Sequence, residues 1–472
     1  MAEKLFIVHG YSDGSTSFKG LAKYFVDQGL YARKDVYLVN YASMDDQATF
    51  RDFADKLNDK FNEISPDGSP VDVACHSTGA LVVRTWLAFH HEWNMQAWGM
   101  QQDCPVDHLL MFAPANFGSD LARMGQSFLG KTRSTFFNNN SRKKDGLESG
   151  KIVLQGLEPA SPFQWELSHY DLHGEGAYFN PANEARHRCY PFVFASGYSY
   201  TGVQARLLKK RRKPGTDGTV RISGTSLNTR KCSLSFVNGA RLKWEKVLPK
   251  FSDIPFAVFD NFNHGSIIDP EQPNFKGFDR PGGLSKQALK ITSLEAYEEF
   301  ARKCRDVSEA NYKKMDKQYK DRYQQFFIKV RDDIDTPVED FFIDFYVLPK
   351  GKTKYEDFHK KLTQKFDEEF ESTFYTHSAD SSCRVMLLNC SKLDAFIREL
   401  VAAKARLVFE ITAHSPRYDI TFLPVKYTVL DGANPDQQKG PLFIYPNTTT
   451  LVDIMINRQE GDDCLDVIEY RN

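Results

Sequence analysis

Five short, mainly apolar runs are spaced along the first 200 residues: KLFIVHG (4–10), DVYLVNY (35–41), VDVACHS (71–77), HLLMFAPA (108–115) and YPFVFASG (190–197). A strand that is apolar on both faces must be covered on both faces. The stretches between the early runs carry helical spacing. In FRDFADKLNDKFNEI, Phe50, Phe53, Leu57, Phe61 and Ile64 recur at three- and four-residue steps and make one apolar face. Strand and helix signals in alternation predict a three-layer α/β domain with a mostly parallel sheet.

Residues 118–187 break this rhythm and are too long for a plain connection. They predict an inserted lid of short helices. The α/β domain is expected to end near PGGLSKQ, so the domains are taken as 1–287, a polar helical connector over 288–324, and 325–472. In the last region, runs such as FFIKVRDD, RLVFEITA and TTLVDIMINR alternate apolar with polar residues. That period suits antiparallel sheets with one wet face, so a separate β-rich, sandwich-like domain is expected.

A chain of 472 residues has room for two or three cores. Its net charge of −1 supplies no global field toward nucleic acid or an anionic membrane. The start, MAEKLFIVHG, lacks a basic region followed by an apolar core and a cleavage site. No window reaches about 18 apolar residues. The expectation is a cytoplasmic protein, with signal-independent export left open. Eight scattered cysteines without a CxxC pair read as reduced thiols rather than a disulfide framework or a zinc site.

The chemistry concentrates at Cys75-His76-Ser77-Thr78-Gly79. An apolar strand leading into small-x-Ser-x-Gly and then a helix is a nucleophile-elbow pattern. Strand and helix backbones approach closely there, so neighbouring side chains must be small. Gly79 meets that need; Cys75 meets it less well than glycine would. The backbone N–H of Thr78 lies at a helix N-terminus and can face a developing oxyanion. A thiol nucleophile is disfavoured, because Cys75 and His76 are adjacent on a strand and point to opposite faces. His76 reads as packing beside the elbow. After the first strand, His9-Gly10-Tyr11 can bend so that the Tyr11 N–H becomes a second oxyanion donor.

A serine nucleophile needs a base, and the base an orienting acid, in the chain order serine, acid, histidine on this kind of fold. Asp217 in PGTDGTV and His264 in DNFNHGSI stand in that order at turn-rich strand ends. A plain turn would equally use Asp217, and a surface loop His264. Asp253 and Asp260 are reserve acids.

HGY, CHSTG, FAPANFGS, TDGTV and NHGSI together resemble the lipase branch of the α/β-hydrolases, over roughly residues 1–285. The stretch LEPASPFQWEL is similar to the Ser-Pro-Phe segment of such lipases' caps. The resemblance implies Ser77 as nucleophile, Asp217 as acid, His264 as base, and the Tyr11 and Thr78 N–H groups as oxyanion donors. It implies lipid or other apolar acyl esters as substrates. Cys75, where glycine is commonest, is the departure.

The lid aromatics Phe163, Trp165, Tyr170, Tyr178 and Phe179 would cover an acyl chain or form the lid's own core; Phe163 and Trp165 are taken as substrate-binding candidates. The basic run LLKKRRKPG (207–215) is either a headgroup attractor or a solvated loop. Asp332, Asp333 and Asp335 lack calcium-loop spacing. No metal, organic cofactor or nucleic-acid partner is expected. The reading is a serine ester hydrolase of lipase or phospholipase type, with transient membrane-surface contact and a protein partner for the C-terminal domain left open. The alternatives are a lipase effector toxin and a non-catalytic hydrolase-fold binding protein.

Overall fold

The computed structural model describes residues 2–11, 14–98, 104–120, 122, 150–173, 179, 189–198, 214–237, 239, 241–244, 254–370, 375–415, 419–434 and 444–461. It divides into two compact units, Met1–Thr229 with Val247–Asp321, and Arg230–Lys246 with Arg322–Asn472.

The first unit is built on β1 (Leu5–Val8), β2 (Val36–Val39), β3 (Val71–His76), β4 (Val106–Phe112) and β5 (Tyr190–Ser196). The next two strands, β6 (Arg230–Ser235) and β7 (Arg241–Trp244), belong to the second unit, and β8 (Phe256–Phe259) completes the first sheet. The order is β2-β1-β3-β4-β5-β8, with every pair parallel. Each of the five apolar runs supplies one strand, and β8 comes from PFAVF. Helices α1 (Lys19–Asp27), α2 (Phe50–Ile64) and α3 (Gly79–Trp98) alternate with the early strands. A reciprocal cap between Thr49 and Asp52 starts α2, whose Phe50, Phe53, Leu57 and Phe61 enter the core. The β4–β5 insertion holds α4 (Lys151–Leu157) and α5 (Pro162–Asp171). The unit closes with α6 (Pro281–Ala288) and α7 (Leu294–Lys314).

The observed division differs from the expected boundaries in two places. Helix α7, read as connector, buries Tyr297, Phe300, Cys304 and Val307 in the first unit's core. It also covers the edge of β8. The Ser308 hydroxyl accepts from Val258 N at 2.9 Å, and Asn311 Nδ2 donates to Val258 O at 2.9 Å. The hairpin β6–β7 lies within the expected hydrolase span but pairs with strands of the second unit.

The second unit continues with β9 (Tyr323–Asp332), β10 (Phe341–Leu348), α8 (Lys360–Phe370), β11 (Tyr375–Thr376), β12 (Cys383–Asn389), α9 (Cys390–Ala402), β13 (Arg406–Ala413), β14 (Ile420–Phe422), β15 (Val425–Asp431), β16 (Thr449–Ile456) and β17 (Arg458–Glu460). One sheet runs β11-β12-β9-β16-β6-β7 and another β10-β13-β15; β14 pairs with β17. The unit is β-rich, as the alternation predicts. Phe366 of α8 and Phe396 of α9 share one apolar core with Ile328, Val347, Phe409 and Ile454, so helices as well as sheets build it.

Candidate active site

Ser77 stands directly after β3 with φ of 54°, left-handed backbone that a non-glycine residue seldom adopts. The strain is held by tight packing on every side. Ser77 N donates to Phe112 O at 3.1 Å, and Ser77 O accepts from Ala115 N at 3.1 Å. A Cβ on Gly79 would lie 2.5 Å from His9 O and 2.8 Å from Val8 O, so α3 can start there only with glycine. A Cβ on Gly10 would lie 2.9 Å from that of Ser77, which sets the Gly10–Tyr11 peptide beside the serine.

Cys75 does not bend the strand end. It pairs in register with Val8 and Met111, and His76 beyond it still pairs with Phe112. Burial pushes its thiol pKa up, which leaves it inert.

Ser77, His264 and Asp217 come together although they are far apart in sequence. His264 follows β8, and its Nε2 lies 2.9 Å from Ser77 Oγ. Its Nδ1 donates to Asp217 Oδ2 at 2.8 Å. That bond fixes the tautomer, so Nε2 is free to accept the serine proton. Asp217 is itself held: Oδ1 accepts from Thr219 N and Val220 N, each at 2.8 Å. The reserve acid Asp260 is bound to Arg280 instead; Asp253 lies outside the described residues.

His9 prepares the neighbouring loop. Its Nδ1 donates to Gly10 O at 2.7 Å, its Nε2 accepts from Tyr41 N at 3.2 Å, and its ring stacks on Tyr41 at 4.3 Å. A peptide is planar and trans, so holding Gly10 O fixes the opposite direction for the Tyr11 N–H.

His76 does more than pack. Its Nε2 donates to His264 O at 2.8 Å, and its ring lies 4.6 Å from the His264 ring. Desolvation, helped by His264, pushes its pKa well down and keeps it neutral. Its Nδ1 and the Thr78 hydroxyl are buried without a hydrogen-bond partner. Nothing in a five-residue motif signals a bond to a carbonyl 188 residues away.

The APANFGS segment fastens the acid loop. Asn116 Nδ2 donates to Thr225 O at 2.7 Å, Phe117 N to Gly224 O at 2.9 Å, and Ser119 Oγ to Thr219 O at 2.7 Å. Arg84 of α3 joins that segment to α5 of the β4–β5 insertion, donating to Asn116 O at 3.0 Å and to both carboxylate oxygens of Asp171 at 2.6 and 3.0 Å. Both members of the ion pair are fully buried. No local sequence signal marks Arg84 and Asp171, 87 residues apart, as partners.

In α5, Phe163 stacks on Phe50 of α2 at 4.8 Å, and Trp165 lies buried against His169. Both aromatic rings are thus used in packing. Tyr178 and residues 207–213 lie outside the described residues.

A parallel sheet carrying a strained serine on a strand–helix turn, with histidine and aspartate on later loops, is the α/β-hydrolase fold. The whole chain is similar to the phospholipase PlaB from Legionella pneumophila at 21% identity, covering 99% of this chain and 96% of that one with a TM-score of 0.78. The same protein in complex with thio-NAD gives 19% identity, 99% and 96% coverage, and a TM-score of 0.76. The mature Bacillus licheniformis lipase BlEst2 is 16% identical over 59% of this chain and 90% of that one, with a TM-score of 0.36. No protein-family model and no curated protein sequence matches.

Proposed function

We propose that the chain is a serine ester hydrolase acting on lipid acyl esters. The observation that carries this reading is the hydrogen-bonded sequence Ser77 Oγ, His264 and Asp217, with the serine held in left-handed backbone. His264 takes the serine proton as Oγ attacks the ester carbonyl. Asp217 holds the imidazole and stabilises the imidazolium that forms. The N–H groups of Tyr11 and Thr78 stabilise the tetrahedral oxyanion. His264 then protonates the departing alcohol. In the second half it activates water, which attacks the acyl-enzyme and releases the acid and free Ser77.

The two oxyanion donors come from different turns that meet at Ser77, where Gly10 leaves room for close approach. The name of the Legionella protein makes diacyl phospholipid the first substrate to try. The test is a panel of phospholipid, triglyceride and soluble short-chain ester, with wild type and Ser77→Ala, alongside fluorophosphonate labelling. Release of fatty acid from phospholipid, lost by about a thousandfold or more in Ser77→Ala, is expected. Full activity in Ser77→Ala would sink the mechanism. Labelling of Ser77 with no lipid turnover would retain the nucleophile and reject the substrate class.

A further inference from the structure

The turn that carries His264 is shaped by the residues on either side of it. Asn263 Oδ1 accepts from Gly265 N at 3.1 Å and from Ser266 N at 2.9 Å, and Ser266 Oγ accepts in return from Asn263 N at 2.8 Å. Asparagine suits this place because its short side-chain carbonyl reaches the backbone two and three residues on. The first sheet holds the turn as well: the Ser196 hydroxyl, at the end of β5, donates to Asn263 O at 3.1 Å. At the root of the loop, Arg280 binds Asp260 and lies over the buried Phe262 ring at 5.3 Å.

One peptide in this turn is gripped at both ends. Between His264 and Gly265, the N–H goes to Asn263 Oδ1 at 3.1 Å, and the carbonyl accepts from His76 Nε2 at 2.8 Å. A planar trans peptide points its N–H and C=O in opposite directions. Asn263 and His76 therefore fix the same plane from two sides, one from within the loop and one from the nucleophile's own strand. That plane adjoins the His264 Cα, so its orientation is coupled to the direction in which the imidazole leaves the chain. The imidazole must reach Ser77 Oγ at 2.9 Å and Asp217 Oδ2 at 2.8 Å together.

We propose that Asn263 is a positioning residue for the base: its side-chain carbonyl, acting with His76 on one peptide, sets the angle at which His264 meets Ser77. This role requires His264 to be the base of the proposed triad. The base acts on the proton as the bond to the ester forms, and it adds little to binding of the intact ester. Its misplacement lowers kcat and leaves KM nearly as it was. Because the two holds share one peptide, losing the second after the first removes little more.

The test uses the full chain and follows hydrolysis of p-nitrophenyl butyrate, fluorophosphonate labelling of Ser77, and melting. The proteins are wild type, Asn263→Ala, Asn263→Ser, His76→Phe and the double variant Asn263→Ala with His76→Phe. Asn263→Ala should lower kcat by about ten- to a hundredfold with KM within about twofold, and labelling should slow in parallel. Asn263→Ser keeps an oxygen acceptor without adding charge and should stay within about fivefold of wild type. The double variant should lose much less than the product of the two single losses. Asn263→Ala at the wild-type rate, a serine variant as slow as the alanine one, or losses that multiply would each overturn the proposal. A wild type that neither labels at Ser77 nor turns over the ester would bring down the triad and this role with it. A wild type that does both, matched by Asn263→Ala, would bring down this role alone. If Asn263→Ala fails to fold, Ser266→Ala removes the return bond to Asn263 N and takes its place in the same comparison, with the same losses expected.

Discussion

His76 donates from Nε2 to the backbone carbonyl of His264 at 2.8 Å, so the residue before the serine holds the residue that faces it. His76→Phe keeps a ring in the space and loses the donor. We expect turnover of a soluble ester to fall by about ten- to a hundredfold, with KM within about twofold, because small displacements of a catalytic group are costly. Fluorophosphonate labelling should slow in parallel. Labelling at the wild-type rate would mean that His76 only fills space.

His9 acts at one remove as well. His9→Phe preserves the stack on Tyr41 but frees Gly10 O. With the Tyr11 N–H no longer fixed, kcat should drop by about a hundredfold, the usual effect of losing one oxyanion donor. An unchanged kcat would show that the loop holds its direction without the imidazole.

Gly79→Ala forces a methyl group against two backbone carbonyls, those of Val8 and His9, which cannot move aside as a side chain could. A loss of about 2–3 kcal/mol is expected from such overpacking. Urea denaturation of the first unit measures it, and an unchanged midpoint would refute the close approach.

His108 makes stability depend on alkaline pH. Its Nε2 donates to Ile291 O at 2.7 Å, and its Nδ1 faces Asp72 at 2.8 Å and Asp107 at 3.3 Å. Burial opposes the charge, yet hydrogen bonds and attraction from Asp107 and Asp72 outweigh it and raise the pKa from 6.5 to about 9. A raised folded pKa gives stabilisation that is full below pH 6.5 and is lost as pH climbs through about 9. The shift corresponds to roughly 3 kcal/mol. Melting temperatures between pH 6 and 10 should fall more steeply in wild type than in His108→Gln; equal slopes would exclude this group as the cause.

The buried pair Arg84–Asp171 separates two kinds of loss. Asp171→Asn leaves a guanidinium without its counter-charge and should cost about 3–5 kcal/mol. Replacing both, with Arg84→Met and Asp171→Leu, should cost much less. Denaturation of the three proteins checks this, and a double variant as weak as the single one would locate the penalty in shape rather than charge.

Five of the six strands of the first sheet, and Ser77, Asp217 and His264 as candidates, were readable because each depends on local signals: mainly apolar runs, turn glycines, and chain order. The polar look of α7 hid its role. Tyr297, Phe300, Cys304 and Val307 keep helical spacing, but aromatics and a cysteine among many charges present a weak apolar stripe. The partners of β6 were unreadable for another reason. Its residues specify a strand, and nothing in RKCSLS names β16, more than 200 residues later, as its neighbour. His9, His76 and Arg84 likewise act through backbone carbonyls or a carboxylate that only the fold brings near.

That pairing has a consequence for biosynthesis. The β6–β7 hairpin leaves the ribosome between the segments carrying Asp217 and His264, but β16 arrives only at Thr449–Ile456. At ordinary translation rates of about 5–20 residues per second, the hairpin waits roughly 10–40 s with one edge open. During that interval the nascent chain presents an unpaired strand, a natural target for chaperones and a point of vulnerability to aggregation. This sheet can therefore close only after β16 has been made, however early the other strands settle.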